Sequence, residues 1–300
     1  MIRWGLCCQF LDAPIKFRTA THRYVATLDP KAGRGYLASI AADNAAALTA
    51  SVRACHALGI GAFRINSQIL PLGTHPVSGY TLAGLDRRGA TRRAFLEAGA
   101  LARSLGVRLS FHPDQFVVLN SEREAVVAAS LTEVEFQARI AELVGADVIV
   151  LHGGGLAGGA AAALARLERG IERLSERARS RLALENDDRL FAPADLLPLV
   201  ERLGVPMVYD VHHHRCKPDG LTVGEATARS AATWGRREPY FHISSPRAGW
   251  NGGNPRPHAD YVDAADVPDE WTAMAVTVDV EAKAKERAVI RLAGEVAVGA

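Results

Sequence analysis

Cysteine is scarce in this chain. Its 300 residues include four, Cys7, Cys8, Cys55 and Cys216, with no CxxC pair, and the adjacent Cys7 and Cys8 would bridge only through a strained ring. No disulfide framework and no zinc knuckle is expected, and a reducing cytoplasm is the expected compartment. Long apolar runs are missing as well. Arg, Asp or Glu interrupts every candidate, 276–300 included, before the roughly 18–20 residues that a membrane span needs. The opening MIRWGLCCQF is too polar for a signal peptide. Charge of one sign is also lacking: Lys and Arg number 35 against 33 Asp and Glu, a formal +2. By itself that balance does not announce a nucleic-acid binder. Neither a Walker A sequence nor a GxSxG elbow occurs, which removes the P-loop and α/β-hydrolase readings.

What is present is an ordinary core-forming composition, 48% hydrophobic and 23% charged, over a length that suits one large domain, 1–300. Short runs rich in Val, Ile and Leu recur at 2–8, 60–66, 107–112, 147–152, 181–186, 206–211, 239–244 and 273–280. Between them lie stretches with helical spacing at 43–58, 90–105, 122–145, 160–179, 193–203 and 222–236. In the first of these Asp43 can cap, Leu48, Val52 and Cys55 share a face, and Gly59 supplies a left-handed stop. Strands alternating with helices predict an α/β fold, a parallel (β/α)8 or TIM barrel. Two stretches do not fit an ideal barrel unit, 10–40 and 245–272, and both are expected to be long functional loops.

The ionisable residues then fall into a pattern. At or just past the ends of strands three to eight stand His112, His152, Glu185, Asp210, His242 and Glu281. In a parallel barrel all strand C-termini open on one mouth, so these side chains would share a cavity. One of His212, His213 and His214 would join them, and His258 lies in the loop after strand seven. Mixed imidazole and carboxylate donors suit Zn²⁺ or Mn²⁺, and there are more of them than one tetrahedral ion can use, so two or three divalent ions are expected. Gly153, Gly155 and Gly158 satisfy GxGxxG. The unit sits mid-chain with no Rossmann half before it, so no nucleotide cofactor is expected. The Arg pairs at 87–88, 92–93 and 236–237 read as solvated helix positions.

FHPDQF at 111–116, LHGGG at 151–155, LENDDR at 184–189, YDVHHH at 209–214, HISSPR at 242–247, HADYVD at 258–263 and EAKAKE at 281–286 together resemble the successive motifs of UV damage endonucleases. That family is similar in fold and metal layout to endonuclease IV. The resemblance implies one ion on His112, His152 and Glu185, a second on Glu185, Asp210, His242 and Glu281 with Glu185 bridging, and a third on His213 and His258. It implies Mn²⁺ as the usual ion, with Zn²⁺ or Mg²⁺ as alternatives. The implied reaction is attack of metal-activated water on the phosphodiester immediately 5′ of a photoproduct in double-stranded DNA, with no protein nucleophile.

The same resemblance makes Gln115 the residue that inserts at the lesion, Phe116 its stacking neighbour, and His75 a second catalytic residue, beside Glu185, near a substrate phosphate. Three positions depart from the pattern: Leu6 and Phe116 stand where Tyr is common, and Tyr240 where Lys is common. All three are expected to belong to the lesion-contacting shell. A monomer is expected. The alternative reading is a metal-dependent sugar isomerase or epimerase on the same barrel. Divalent ions covering the acidic ligands would make the mouth basic without a basic sequence.

Overall fold

The computed structural model describes residues 1–299. Eight parallel strands close in sequence order: β1 (Ile2–Cys7), β2 (Ala62–Ile65), β3 (Arg108–Phe111), β4 (Val148–His152), β5 (Leu182–Glu185), β6 (Met207–Asp210), β7 (Tyr240–Ile243) and β8 (Val276–Val280). Pairing of β1 with β8, from Ile2 opposite Val276 to Leu6 opposite Val280, completes the ring. All eight expected strands are present at their expected places.

Helices differ from expectation in several places. The first long one runs Pro30–Ala57 rather than from 43, with Asp29 as its cap accepting from the N–H groups of Lys31 and Ala32 at 3.0 Å each. Leu37, Ile40, Ala41, Asn44, Ala45 and Leu48 form its buried stripe, so packing extends it back through the segment read as a loop. Asp43 therefore lies inside the helix and pairs with Arg18 instead of capping. The segment 160–179 breaks after Glu172, and Ser175 then caps a separate turn, Glu176–Arg179. A short helix, Val211–Cys216, follows β6 directly, and a final helix, Glu286–Gly299, follows the last strand. The left-handed stop at Gly59 is as expected, and Gly106 and Gly204 adopt the same conformation.

Period-two alternation along the strands sorts the barrel into layers. Val148, Val150, Ala183, Val208 and Tyr240 form one buried cluster with Trp234. Two residues further along the same strands stand His152, Glu185, Asp210 and His242. The polar residues are thus the uppermost inward-facing layer, resting on a small apolar plug. The larger core, which holds Leu6, Phe63, Phe111 and Trp271, packs strands against the surrounding helices.

Candidate metal centre

Glu185 is the hub of the upper layer. Its side chain is 1% exposed, with Oε2 at 2.9 Å from His112 Nε2 and Oε1 at 2.9 Å from His242 Nδ1. His152 Nε2 stands 3.7 Å from Oε2 and His213 Nδ1 3.5 Å from Oε1. Donor atoms of His112, His152 and Glu185 lie within 4.8 Å of one another, and so do those of Glu185, Asp210 and His213. Glu281 continues the array, 3.6 Å from His242 Nδ1 through one oxygen and 3.6 Å from His258 Nδ1 through the other.

The short helix after β6 orients two of these groups. Asp210 is its N-cap, and its Oδ1 accepts the His213 backbone N–H at 2.8 Å. The other oxygen, Oδ2, is buried without a hydrogen-bond partner among the described residues. A buried carboxylate oxygen without a donor is costly, and a cation would satisfy it. Together with a donor set of imidazoles and carboxylates and no thiolate, this fits a borderline divalent ion. Of the histidine triplet, His213 alone faces the carboxylates. His214 spends both ring nitrogens on Tyr209 and Asp219, and His212 Nε2 faces Arg256 O and Cys216. His213 and His258, with ring centroids 6.1 Å apart, do not close a third compact group among the described residues.

Electrostatics follow from this crowding. Burial pushes the Glu185 carboxyl up, but His242, His152 and the hydrogen bond from His112 outweigh it and hold it well below the usual carboxylate range. Glu281 is likewise lowered, with Arg64 and His242 overcoming burial. His213 moves the other way, to about 9, because Asp210 and Glu185 outweigh its desolvation. Burial lowers His152, which leaves its imidazole neutral at pH 7.

Gln115 and Phe116 sit at the tip of the loop after β3, and Phe116 is 80% exposed. Gln115 borders two clefts. One, of about 720 Å³, is lined by His112, His152, Glu185 and Glu281. The other, of about 520 Å³, lies beside Gly154, Asp187 and Arg189. Gly153 and Gly154 serve packing next to His152. A Cβ on Gly154 would meet Asn120 Oδ1 at 2.2 Å, and Asn120 Nδ2 donates to the carbonyls of Gly153 and Gly155 at 2.8 Å each.

Two expected lesion contacts are corrected. Leu6 is 0% exposed and belongs to the strand–helix core, because its neighbour Gly5 takes the inward position opposite Asp279. Tyr240 is also 0% exposed, one layer beneath His242, with its hydroxyl 2.7 Å from Ser110 Oγ. Neither side chain can reach a DNA strand. His75 is not brought into the cluster. Its Nδ1 accepts the N–H groups of Val77 and Ser78 at 3.2 and 3.1 Å, and its ring stacks on His22 with centroids 4.2 Å apart.

Sequence reasoning missed Arg64, Asp279 and Asn186. Arg64 Nε lies 2.8 Å from Asp279 Oδ2, and its Nη2 lies 2.6 Å from Glu281 Oε1. Asn186 exchanges hydrogen bonds with the Asp210 backbone at 2.9 and 3.0 Å, tying the end of β5 to that of β6. Asp279 and Asn186 stand beside strand ends already tallied and Arg64 near the end of β2, so extending the tally to strand two and one layer down would have found Arg64 and Asp279.

The comparisons with known proteins agree with the fold. A relative from Deinococcus radiodurans, named UV DNA damage endonuclease, is 36% identical over 307 aligned positions that span 96% of this chain and 93% of its own. The crystal structure of SacUVDE shares the fold with a TM-score of 0.87 at 24% identity, covering 99% of each chain. Endonuclease IV from Thermus thermophilus shares it at 0.64 and 17% identity, over 99% of this chain and 100% of its own. Residues 2–298 match the family described as UV-endonuclease UvdE, from the first strand to the last helix, and the chain belongs to that family.

Proposed function

We propose that this protein is a divalent-metal-dependent DNA repair endonuclease that incises one strand of duplex DNA immediately 5′ of UV photoproducts or other distorting lesions. The observation that carries the reading is Glu185, one buried carboxylate shared by two compact donor groups. Family membership and the name of the Deinococcus relative support the substrate class.

His112, His152 and Glu185 would hold one ion, and Glu185, Asp210, His242 and Glu281 a second. His213 and His258 would contribute to a third. Mn²⁺ suits these donors best, with Zn²⁺ or Mg²⁺ as alternatives. Ions bound there would supply a nucleophilic water near neutral pH and positive charge against the leaving oxygen. Glu185, which belongs to both donor groups, would serve two ions and fix their spacing. His152, kept neutral by burial, offers its lone pair without first shedding a proton.

Gln115, standing between two clefts, would fill the gap left by displaced nucleotides, with Phe116 as a stacking surface. His75, its Nδ1 committed to the backbone, presents Nε2–H as a donor to a substrate phosphate outside the cluster. The chain would act as a monomer on DNA in the cytoplasm. Among the described residues no helix is long and apolar enough to cross a membrane. Membership in the UvdE family removes the support for a sugar isomerase.

A duplex with one cyclobutane dimer, a matching abasic-site duplex and an undamaged control, each incubated with protein and Mn²⁺, tests the reading. Incision 5′ of the dimer is expected. Cutting only at the abasic site would move the substrate, and no cutting of either damaged strand would overturn the proposal.

A further inference from the structure

Beneath the candidate ligands lies a pair that none of the expected roles uses. Arg64, on β2, has its side chain 10% exposed, and Asp279, on β8, is 0% exposed. The guanidinium is shared three ways. Nε meets Asp279 Oδ2 at 2.8 Å, and Nη2 meets Glu281 Oε1 at 2.6 Å and His242 Nε2 at 3.1 Å. A fixed cation thus sits against two of the groups assigned to hold ions. Alone it would repel them and compete for Glu281.

From this arrangement we infer that Asp279 is a positioning residue for the metal centre. It neutralises Arg64 and aims its guanidinium so that Glu281 and His242 are held in place while the cavity remains receptive to cations. Two further features indicate that the carboxylate's place is built. Asp279 Oδ2 also approaches His242 Nε2, at 4.0 Å, the side of the ring opposite the Nδ1 that faces Glu185 and Glu281. Arg64 Nη2, which can only donate, is the nearer partner of that nitrogen, so Asp279 acts on the ring through the guanidinium and not by a hydrogen bond of its own. Gly5, paired with Asp279 across β1 and β8, leaves the room: a Cβ there would come within 2.1 Å of Asp279 Oδ1.

The inference rests on reading the cluster as a metal centre, and Mn²⁺ binding without DNA separates the two. Electron paramagnetic resonance of free Mn²⁺, titrated against full-length protein, is the readout. Wild type that binds no Mn²⁺ sinks the metal reading itself. If wild type binds, Asp279→Asn should weaken binding about tenfold or more, the scale on which outer partners of ligands act. Gly5→Ala, which crowds the Asp279 carboxylate, should weaken it in the same direction.

Adding Arg64→Gln to Asp279→Asn removes the uncompensated cation and should recover most of the lost affinity, which a merely structural role would not do. Should Asp279→Asn alone fail to fold, the double variant is expected to fold and bind. Wild-type affinity in Asp279→Asn, or a double variant that binds no better than the single one or does not fold, overturns the inference.

Discussion

Asp210 accepts the backbone N–H of His213 through one oxygen at 2.8 Å and holds its other oxygen 3.6 Å from the same residue's Nδ1. A helix cap and a candidate ligand pair are therefore one feature. The cap begins the turn that carries His213 back over the barrel mouth, and the unpartnered oxygen is left facing the donors. Glu185 gathers this pair, together with His112, His152 and His242, at the centre of the mouth.

Loss of that centre should be decisive. Glu185→Gln keeps the shape but removes the negative charge shared by both donor groups. Incision of a dimer-containing duplex is expected to fall by at least about a hundredfold, the scale of losing one electrostatic contact to the transition state. Near-wild-type nicking at saturating Mn²⁺ would remove Glu185 from its bridging role.

The loop tip should act on recognition instead. Phe116→Ala is expected to cost about 1–3 kcal/mol of damaged-strand binding, the value of one stacked base. Gln115→Ala should narrow the preference for damaged over undamaged duplex. Both residues lie at the tip of an exposed loop, so Mn²⁺ binding and thermal stability should stay unchanged. Competition gel shifts measure the preference, and an unaltered ratio in both variants would detach the loop from the lesion.

Buried positions should do the reverse. Leu6→Ala removes a fully buried side chain and is expected to cost about 2–5 kcal/mol in urea unfolding. Tyr240→Phe, which loses the bond to Ser110, should cost about 1 kcal/mol. Neither should change the ratio of damaged to undamaged cutting, and a selective loss of that ratio would return these residues to the DNA interface.

Protonation gives a further check. Burial opposes charge on His213, yet Asp210 and Glu185 raise its pKa to about 9. A folded-state pKa above the unfolded value near 6.5 contributes stability that is complete below about 6.5 and is lost as pH rises through about 9. The melting temperature of chelator-stripped protein should accordingly fall over that window. Mn²⁺ affinity should climb across it, because the ion must displace the proton. Calorimetry at pH 6, 7, 8 and 9 tests this, and His213→Gln should flatten both trends.

Much of this architecture was legible because strand and site share one period. An apolar run with an ionisable residue closing its inward-facing positions marks both the strand and the mouth, as Val148, Val150 and His152 do on β4. Reading only strand ends conceals the layer beneath, so Asp279 goes unseen, and the resemblance assigns Tyr240 to the lesion-contacting shell although it lies in that buried layer. The start of the helix at Pro30 was hidden by Lys31, Arg34 and Tyr36 on its solvent side. The Asp210 cap could not be read from spacing, which leaves His212, His213 and His214 open; the resemblance singles out His213, and the turn after β6 supplies the physical reason.

The central claim is that ions held at the Glu185 cluster cut damaged DNA. The most direct test titrates Mn²⁺ into chelator-stripped protein while bound Mn²⁺ and nicking of a single-dimer duplex are followed in the same samples. Nicking is predicted to be absent without metal and to rise only as the second ion binds. Full activity of the stripped protein, or a fully loaded protein that leaves the dimer strand intact, would contradict the account.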